Sequence, residues 1–452
     1  MTSASTYTIN LEQILDLAKK NGAASCEVIQ KSRTENPVSF ENNKLKSLES
    51  NEHSGIAVRL IKNNRIGIAS STDPDAIESL VTAAIEASEF GPEATFEFAK
   101  EKLEHLSSEP RAASSALPLE DLVERGTRVI ERLKPFHKDL VVSGGFDLKQ
   151  NEIVYLNTSG VNGRRTKTIY STFFHALLVS NDDFLGIYDG NSDLSDFPDD
   201  KQIAEKIFEK LNYSRKIIPI PTKKYPVVFT ARAVADVFYE VFSEVLNGKA
   251  IEQAISPLVD KLGKKLFDEK LTLREDSSIG ISKTSFDDEG IKTQKKDLIK
   301  SGTISSFYFD LSTANKMKCK DIARNTPMTT TGNGFKPSLQ SPPVPVLTSV
   351  VIEGGKSKYD NLISNIKEGV LVDQLLGAGQ SNTLAGEFSV GIDLGFLIKD
   401  GKIAGRIKNC MIAGNIFEVL KNITDLSLEK EWVNGSMLFP AMLIEDMTVA
   451  GK

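Results

Sequence analysis

Hydrophobic and polar positions alternate between two periods along this chain. Leu11, Ile14, Leu15, Leu17 and Ala18 recur at helical spacing and predict a short amphipathic helix over 10–20. The period then falls to two. Strand-like runs cover 26–31, 38–41, 55–61 and 65–70, and Lys62-Asn63-Asn64-Arg65 is a polar hairpin turn between the last two. Asp73-Pro74 opens a helix, because Asp can cap and Pro is tolerated in the first turn. That helix runs through Ala76, Leu80, Ala84 and Ala87 and stops before Gly91-Pro92. Residues 93–118 are polar and rich in Ser, Ala and Pro, so they read as a surface excursion before a second long helix at 119–133. Strands resume at 141–150, 152–157, 163–179 and 184–189 as a meander. An acidic loop at 192–198 and a helix at 201–212 follow.

Pro219, Pro221 and Pro226 make 216–226 extended and stiff, which is the character of a linker. The boundary is placed there, giving an N-terminal domain over 1–220 and a C-terminal domain over 221–452. The second half opens with a strand at 227–230 and a helix at 231–246. Val234, Val237, Phe238, Val241, Phe242 and Val245 form one continuous apolar stripe on that helix. Strands and Gly/Thr-rich loops dominate after Lys265, with helices expected at 358–368 and 416–422 and a closing strand at 437–449. The class is α+β with antiparallel sheets rather than βαβ alternation.

Composition narrows the function classes. The 452 residues exceed one compact core. Lys and Arg number 55 against 61 Asp and Glu, a net charge of −6. That balance argues against a duplex-DNA binder, whose affinity comes from neutralising phosphates. Cys26, Cys319 and Cys410 are far apart, an odd count that suits a reducing compartment. No basic segment precedes an apolar run near Met1, and no stretch is long enough to cross a membrane as a helix, so a cytoplasmic chain without membrane contact is expected.

Local catalytic motifs are absent. His53, His105, His137 and His175 are followed by Ser, Leu, Lys and Ala, so there is no His-Glu pair of a zinc peptidase helix. Gly354-Gly355-Lys356-Ser357 lacks the first Gly of a phosphate loop; Val350 stands there. Ser364-Asn365-Ile366-Lys367 has the serine–lysine spacing but none of its supporting motifs. Three features remain. Asp236, Glu240 and Glu244 recur every four residues on the polar side of the 231–246 helix; they could meet a peptide amine or a cation, or simply form a solvated face. Thr331-Gly332-Asn333 and the Gly377/Gly379 pair combine hydroxyl or amide groups with glycine, which lets a backbone approach an extended peptide closely; tight turns at strand ends would look the same.

Several segments together resemble the TldD/PmbA family. They are Asn42-Asn43-Lys44-Leu45-Lys46-Ser47-Leu48-Glu49, Gly55-Ile56-Ala57-Val58-Arg59, Arg65 to Ser71, Phe286-Asp287-Asp288-Glu289-Gly290, Thr330-Thr331-Gly332-Asn333, Gly377, Ile412-Ala413-Gly414-Asn415 and Glu445 to Gly451. The resemblance runs from about Gly22 to the end. It implies an N-terminal α+β domain and a C-terminal domain of curved antiparallel sheets with a few helices. One branch, TldD, carries a zinc-binding helix and a late Cys ligand; the other, TldE or PmbA, lacks both. Here the helix at the zinc position holds Asp236, Glu240 and Glu244 and no His, and no Cys lies in 424–441. The resemblance is therefore to the PmbA/TldE branch. It implies a non-metal subunit of a heterodimeric metallopeptidase that trims small unfolded peptides, with zinc on a TldD-type partner and no cofactor in this chain. Thr331, Gly332, Asn333, Gly377 and Gly379 are the peptide-channel candidates. In isolation the chain could pair with a second copy of itself. A different reading is a regulatory protein that binds DNA gyrase or a toxin–antitoxin system without cleaving peptides.

Overall fold

The computed structural model describes residues 10–103, 106–107, 119–180, 183–318, 329–377 and 382–451. Asn-Asn pairs build its first turns. Asn42, Asn43, Asn63 and Asn64 hold φ values of 52°, 64°, 49° and 62°, as two-residue hairpins matched to strand twist require. They join β1 (Ser25–Glu41) to β2 (Lys44–Leu48) and β3 (Asn51–Lys62) to β4 (Arg65–Ser71). β5 (Leu106–Ser107), β6 (Val141–Asn157), β7 (Asn162–Ser180) and β8 (Asp183–Asp193) complete the first sheet. Its order is β4-β3-β1-β6-β7-β5, with β2 beside β1 and β8 beside β7.

The strands are longer than the hydrophobic runs suggest. Residues 26–31 and 38–41 belong to one strand, as do 141–150 and 152–157, and β1 pairs with β6 from Glu27 to Phe40 without a break. Ser32 to Asn36 carry polar side chains, but ladder bonds use only the backbone, so polarity alone does not end a strand flanked on both sides. α1 (Leu11–Lys20) and α2 (Ile77–Phe90) bury Ile14, Ala18, Val81 and Ala84 against Val28, Val58 and Leu60. α3 (Leu119–Leu133) and α4 (Asp200–Tyr213) pack Leu133, Ile207 and Leu211 near Phe146 and Phe174.

The second sheet contains β9 (Lys223–Phe229), β10 (Leu273–Glu275), β11 (Lys296–Lys300), β12 (Thr303–Ile304), β15 (Val350–Ile352), β16 (Glu368–Leu376), β17 (Glu387–Lys399), β18 (Lys402–Ile407), β19 (Cys410–Asn415), β20 (Asp425–Val433) and β21 (Met437–Ala450). A separate ribbon pairs β13 (Gly334–Phe335) with β14 (Val344–Pro345). Strand β21 pairs with both β19 and β9, so β9, β16, β17, β19 and β21 close into a ring. Pairing is mostly antiparallel, in line with the expected class, with β9–β16 and β15–β21 parallel.

The 216–226 segment is not a free linker. Ile218 N donates to Arg406 O at 2.8 Å and Arg406 N to Lys216 O at 2.8 Å. Strand β9 already begins at Lys223. Pro226 has no N–H to donate, and it falls where β21 bulges between Ile444 and Met447. The two later helices are shorter than expected, Tyr359–Ser364 and Ile416–Val419; the first is cut off by β16, which starts at Glu368.

Buried charge joins the two sheets. Arg59 on β3 gives Nε to Glu27 on β1 at 2.7 Å and Nη2 to Glu289 of the second half at 3.0 Å. Tyr155 Oη donates to the other Glu27 oxygen at 2.8 Å, and Leu311 N to the other Glu289 oxygen at 2.7 Å. Asp288 receives Lys31 Nζ at 2.7 Å and pairs with Arg165. Burial opposes its ionised form, yet Arg165 and Lys31 hold its carboxyl below the usual range. Asp287 accepts backbone N–H groups from Glu289, Ile291 and Gly334, at 2.9, 2.9 and 2.8 Å. Removing one partner of such a cluster strands the others without water or counter-charge. Arg59→Met is expected to cost about 3–5 kcal/mol, read as a lowered urea midpoint, and Arg59→Met/Glu289→Gln should recover part of that loss.

Candidate functional site

The helix after β9, α5 (231–245), organises the site. Thr230 Oγ1 accepts the Ala233 N–H at 3.3 Å and caps it. The whole predicted stripe from Val234 to Val245 is buried. Phe238 meets Phe229 and Phe388 with ring centroids 5.3 and 6.2 Å apart. The middle turn, Ala235–Tyr239, is a π turn, a wide form that recurs at functional sites.

The opposite face of α5 is only partly solvated. Glu240 and Glu244 are exposed, but Asp236 is half-buried. Burial pushes its carboxyl up to about 6; Arg232 works against this, while Asp373 and Glu240 add to it. Arg232 is one turn back. Its guanidinium lies 4.4 Å from the Tyr188 ring centre, gives Nη1 to Tyr188 O at 3.1 Å and approaches Asp189 at 3.8 Å. Lys210 of α4 pairs with Asp373 at 2.9 Å and Asp189 at 3.5 Å. Burial disfavours its charge, but those two acids outweigh it and raise its pKa.

The same elements cover the outer edge of β8. Gln374 Nε2 donates to Gly186 O at 3.0 Å, and its Oε1 accepts Tyr188 N at 3.1 Å. With Arg232 on Tyr188 O, three edge groups are satisfied by side chains from the second half, which blunts an otherwise open strand edge.

The glycine candidates separate. Gly377 follows β16 with φ +82°, and nothing lies within 4 Å of where its Cβ would be. Farther on, the turn Thr383–Ala385 rests on the 240–245 end of α5. Gly379 lies outside the described residues, as do His105 and Cys319. Thr331 and Asn333 turn inward. Asn333 Nδ2 donates to Glu275 and to Val346 O, both at 2.8 Å, and Thr331 Oγ1 donates to Asn333 Oδ1 at 2.7 Å. Gly332 has φ +69°, and a Cβ there would sit 2.3 Å from Lys292 O. The structure thus places Thr331, Gly332 and Asn333 in a buried polar knot around Glu275.

A cavity of about 860 Å³ opens between 94–101 and 291–294, lined by Phe96, Phe98, Ile291, Leu311 and Thr330. It borders the Arg59 cluster through Phe96 and Phe98, and among the described residues that line it there is no Ser, Cys or His. The thiols are ill placed for one as well. Burial pushes both Cys26 and Cys410 upward, and Cys410 Sγ donates to Lys408 O at 3.4 Å. Burial lowers His175, which sits beside Gly186.

The sequence missed Arg232, Tyr188, Asp189, Lys210 and Asp373. One signal was present: Asp373-Gln374 interrupts the apolar run Val370 to Leu376, and a polar pair in a central strand needs partners.

The comparisons agree with this architecture. Residues 222–451 match the model for the PmbA/TldA metallopeptidase C-terminal domain, and 26–88 that for PmbA/TldA metallopeptidase domain 1. The chain belongs to the PmbA/TldD family. Metalloprotease PmbA of Escherichia coli O157:H7 is 24% identical over 453 residues, 97% of this chain and 94% of that protein. A metalloprotease TldD homolog of Buchnera aphidicola is 28% identical, but over 50% of this chain and 48% of its own length. The crystal structure of TldE from Thermococcus kodakarensis superposes with TM-score 0.86 at 25% identity, covering 97% of this chain and 99% of that one. A Thermotoga maritima protein whose name proposes modulation of a DNA gyrase shares the fold, with TM-score 0.84, 20% identity, and 97% and 99% of the two chains covered.

Such names raise the question of zinc. The donors on α5 do not fit it. Zinc takes imidazole, thiolate and carboxylate in a tetrahedron. The α5 face offers carboxylates alone, with the Arg232 guanidinium one turn before Asp236. Among the described residues no group of His, Cys, Asp and Glu is arranged to hold a metal.

The raised Asp236 pKa has a definite sign. An acid protonated more readily in the folded state withdraws stability as pH rises through its folded value. D236N should therefore gain on the wild type by ~1–2 kcal/mol between pH 5 and pH 7.5, measured by urea unfolding at both pH values.

Proposed function

We propose that this chain is the non-metal subunit of a two-subunit peptidase acting on small unfolded peptides, with zinc carried by a TldD-type partner. The observation that carries the reading is the acidic face of α5. At the position of the family's zinc helix stand Asp236, Glu240 and Glu244, with Arg232 one turn back as the attractive neighbour of Asp236 and Asp373 as a repelling one. Alignment supports the same branch: the PmbA homologue of E. coli matches nearly the whole chain, whereas the TldD homologue matches half.

The chemistry of the face suits binding rather than bond cleavage. Glu240 and Glu244 attract a cation by long-range charge. Asp236, in a drier setting, gains more from an ammonium group because the local dielectric is lower. A free peptide amine presents such a charge. Gly377 leaves room for an extended backbone beside β16. A cytoplasmic location belongs to the same proposal; among the described residues no helix is long and apolar enough to cross a membrane.

Mixing tests the proposal. The chain alone should show no peptidase activity, and addition of a cognate TldD-type protein should create activity that a chelator abolishes. Glu240→Gln/Glu244→Gln should raise KM about 3–10-fold for substrates with a free amine, the size of losing one or two partly screened ion pairs, and leave N-acetylated substrates unchanged. Full activity of the partner without this chain would overturn the proposal. Capture of gyrase without any TldD-type chain would favour the regulatory reading.

A further inference from the structure

The segment that walls the cavity between 94–101 and 291–294 carries free backbone. It is pinned at two points. Ala94 N donates to Asn64 O at 2.8 Å, and Ala99 O accepts Asn157 Nδ2 at 2.8 Å. Between them the chain bends at Phe96, with Phe96 and Phe98 buried and Thr95 and Glu97 exposed. Arg59 holds the buried pair, its guanidinium carbon 5.0 and 5.2 Å from the two ring centres. Among the described residues no backbone N–H or C=O from Thr95 to Phe98 has a hydrogen-bond partner. Such groups are satisfied by water or by a ligand.

The remaining walls suit the same kind of ligand. At about 860 Å³ the cavity has the size of a ligand pocket, for which about 300–1,000 Å³ is usual. Lys292 and Gln294 line it, together with Asn315 and Lys318 from the helix Leu311–Lys318. The Gln294 side chain has no partner among the described residues. A peptide presents donors and acceptors in turn, as free backbone and side-chain amides require. An alkyl chain would gain less, because Phe96 and Phe98 turn their rings toward Arg59 and offer the cavity little apolar surface.

Charge selects which end of a peptide enters. Three lysines line the cavity. Lys100 is paired with Glu97. Lys318 reaches Asn315 Oδ1 at 3.4 Å, and neither it nor Lys292 has a carboxylate partner among the described residues. Glu101 is the remaining acid among the described lining residues. A carboxylate gains energy there and an ammonium loses it, the reverse of the acidic face of α5. We propose that this cavity binds the carboxyl-terminal end of a short peptide, its amides on the free backbone of Thr95 to Phe98 and its carboxylate at Lys292 and Lys318. The site goes beyond the two-subunit reading: it needs neither zinc nor a second chain.

Isothermal titration calorimetry on the full chain alone tests it, with an acetylated four-residue peptide of alternating Ala and Val. The acetyl group removes the amine assigned to the α5 face. The free acid should bind about 5–10-fold more tightly than the same peptide ending in an amide, the size of one or two exposed ion pairs. Lys292→Gln/Lys318→Gln should abolish that difference and leave the amide-ended peptide unchanged. Both side chains are exposed, so thermal unfolding should not move. Lys292→Arg/Lys318→Arg should restore the preference for the acid. Backbone hydrogen exchange over 95–98 should slow when the acid is bound, with 236–244 unchanged. Equal binding of acid and amide, or no binding of the acid, would overturn the site. So would slowed exchange confined to 236–244. The two-subunit reading stands or falls separately, because no partner is present in this titration.

Discussion

The buried guanidinium of Arg59 ties the first half to the second. Arg59 cannot shed its proton, so its position is stable only while Glu27 and Glu289 both face it. Glu27 belongs to the first sheet and Glu289 to the loop after β10, and each spends its second oxygen on another donor, Tyr155 Oη and Leu311 N respectively. None of these groups can leave without exposing another. Asp288 repeats the logic one residue earlier with Lys31 and Arg165. Apolar contact alone would let two sheets slide; paired charges have one register.

That register reaches the candidate site through a second seam. The β7–β8 hairpin of the first half lies on β16 and α5 of the second, where Gln374 and Arg232 satisfy Gly186 and Tyr188. The core beneath is shared as well. Phe146, Phe174 and Ile187 lie in one apolar cluster with Val228, Leu371 and Phe396. The acidic face of α5 is thus bounded by walls from both halves, and its geometry is only as fixed as the Arg59 cluster that sets their relation.

Legibility in the sequence followed the range of each interaction. The apolar stripe of α5, the Asn63-Asn64 turn and the first helix depend on residues a few positions apart, and the pattern shows them directly. Strand length did not follow the pattern, because Ser32 to Asn36 are held by neighbours from β3 and β6 rather than by their own side chains. The three-proline segment looked like a linker since its pairing partners, near Arg406 and Thr448, stand far along the chain. The site divided in the same way. Asp236, Glu240 and Glu244 were visible as a spacing on one helix. Arg232 was present on that helix too, but its meaning depends on Tyr188 and Asp189, which precede it by more than forty residues. The roles of Thr331 and Asn333 hinge on Glu275, and no local pattern could show that a hydroxyl and an amide would turn inward.

The absence of imidazole from α5 has a physical corollary. A helix that presents metal ligands must keep neutral donors in a tight cluster, and a nearby guanidinium would repel the ion. Here Arg232 stands one turn before Asp236, stacked on Tyr188 and facing Asp189. Once that cation is present, carboxylates become the favoured neighbours and a metal the disfavoured one. The same arrangement raises Asp236 through burial and through Asp373 and Glu240, so part of its attraction for a further cation is left unspent. In the reading proposed above, the exposed Glu240 and Glu244 supply the charge that a positive group from outside the chain would meet.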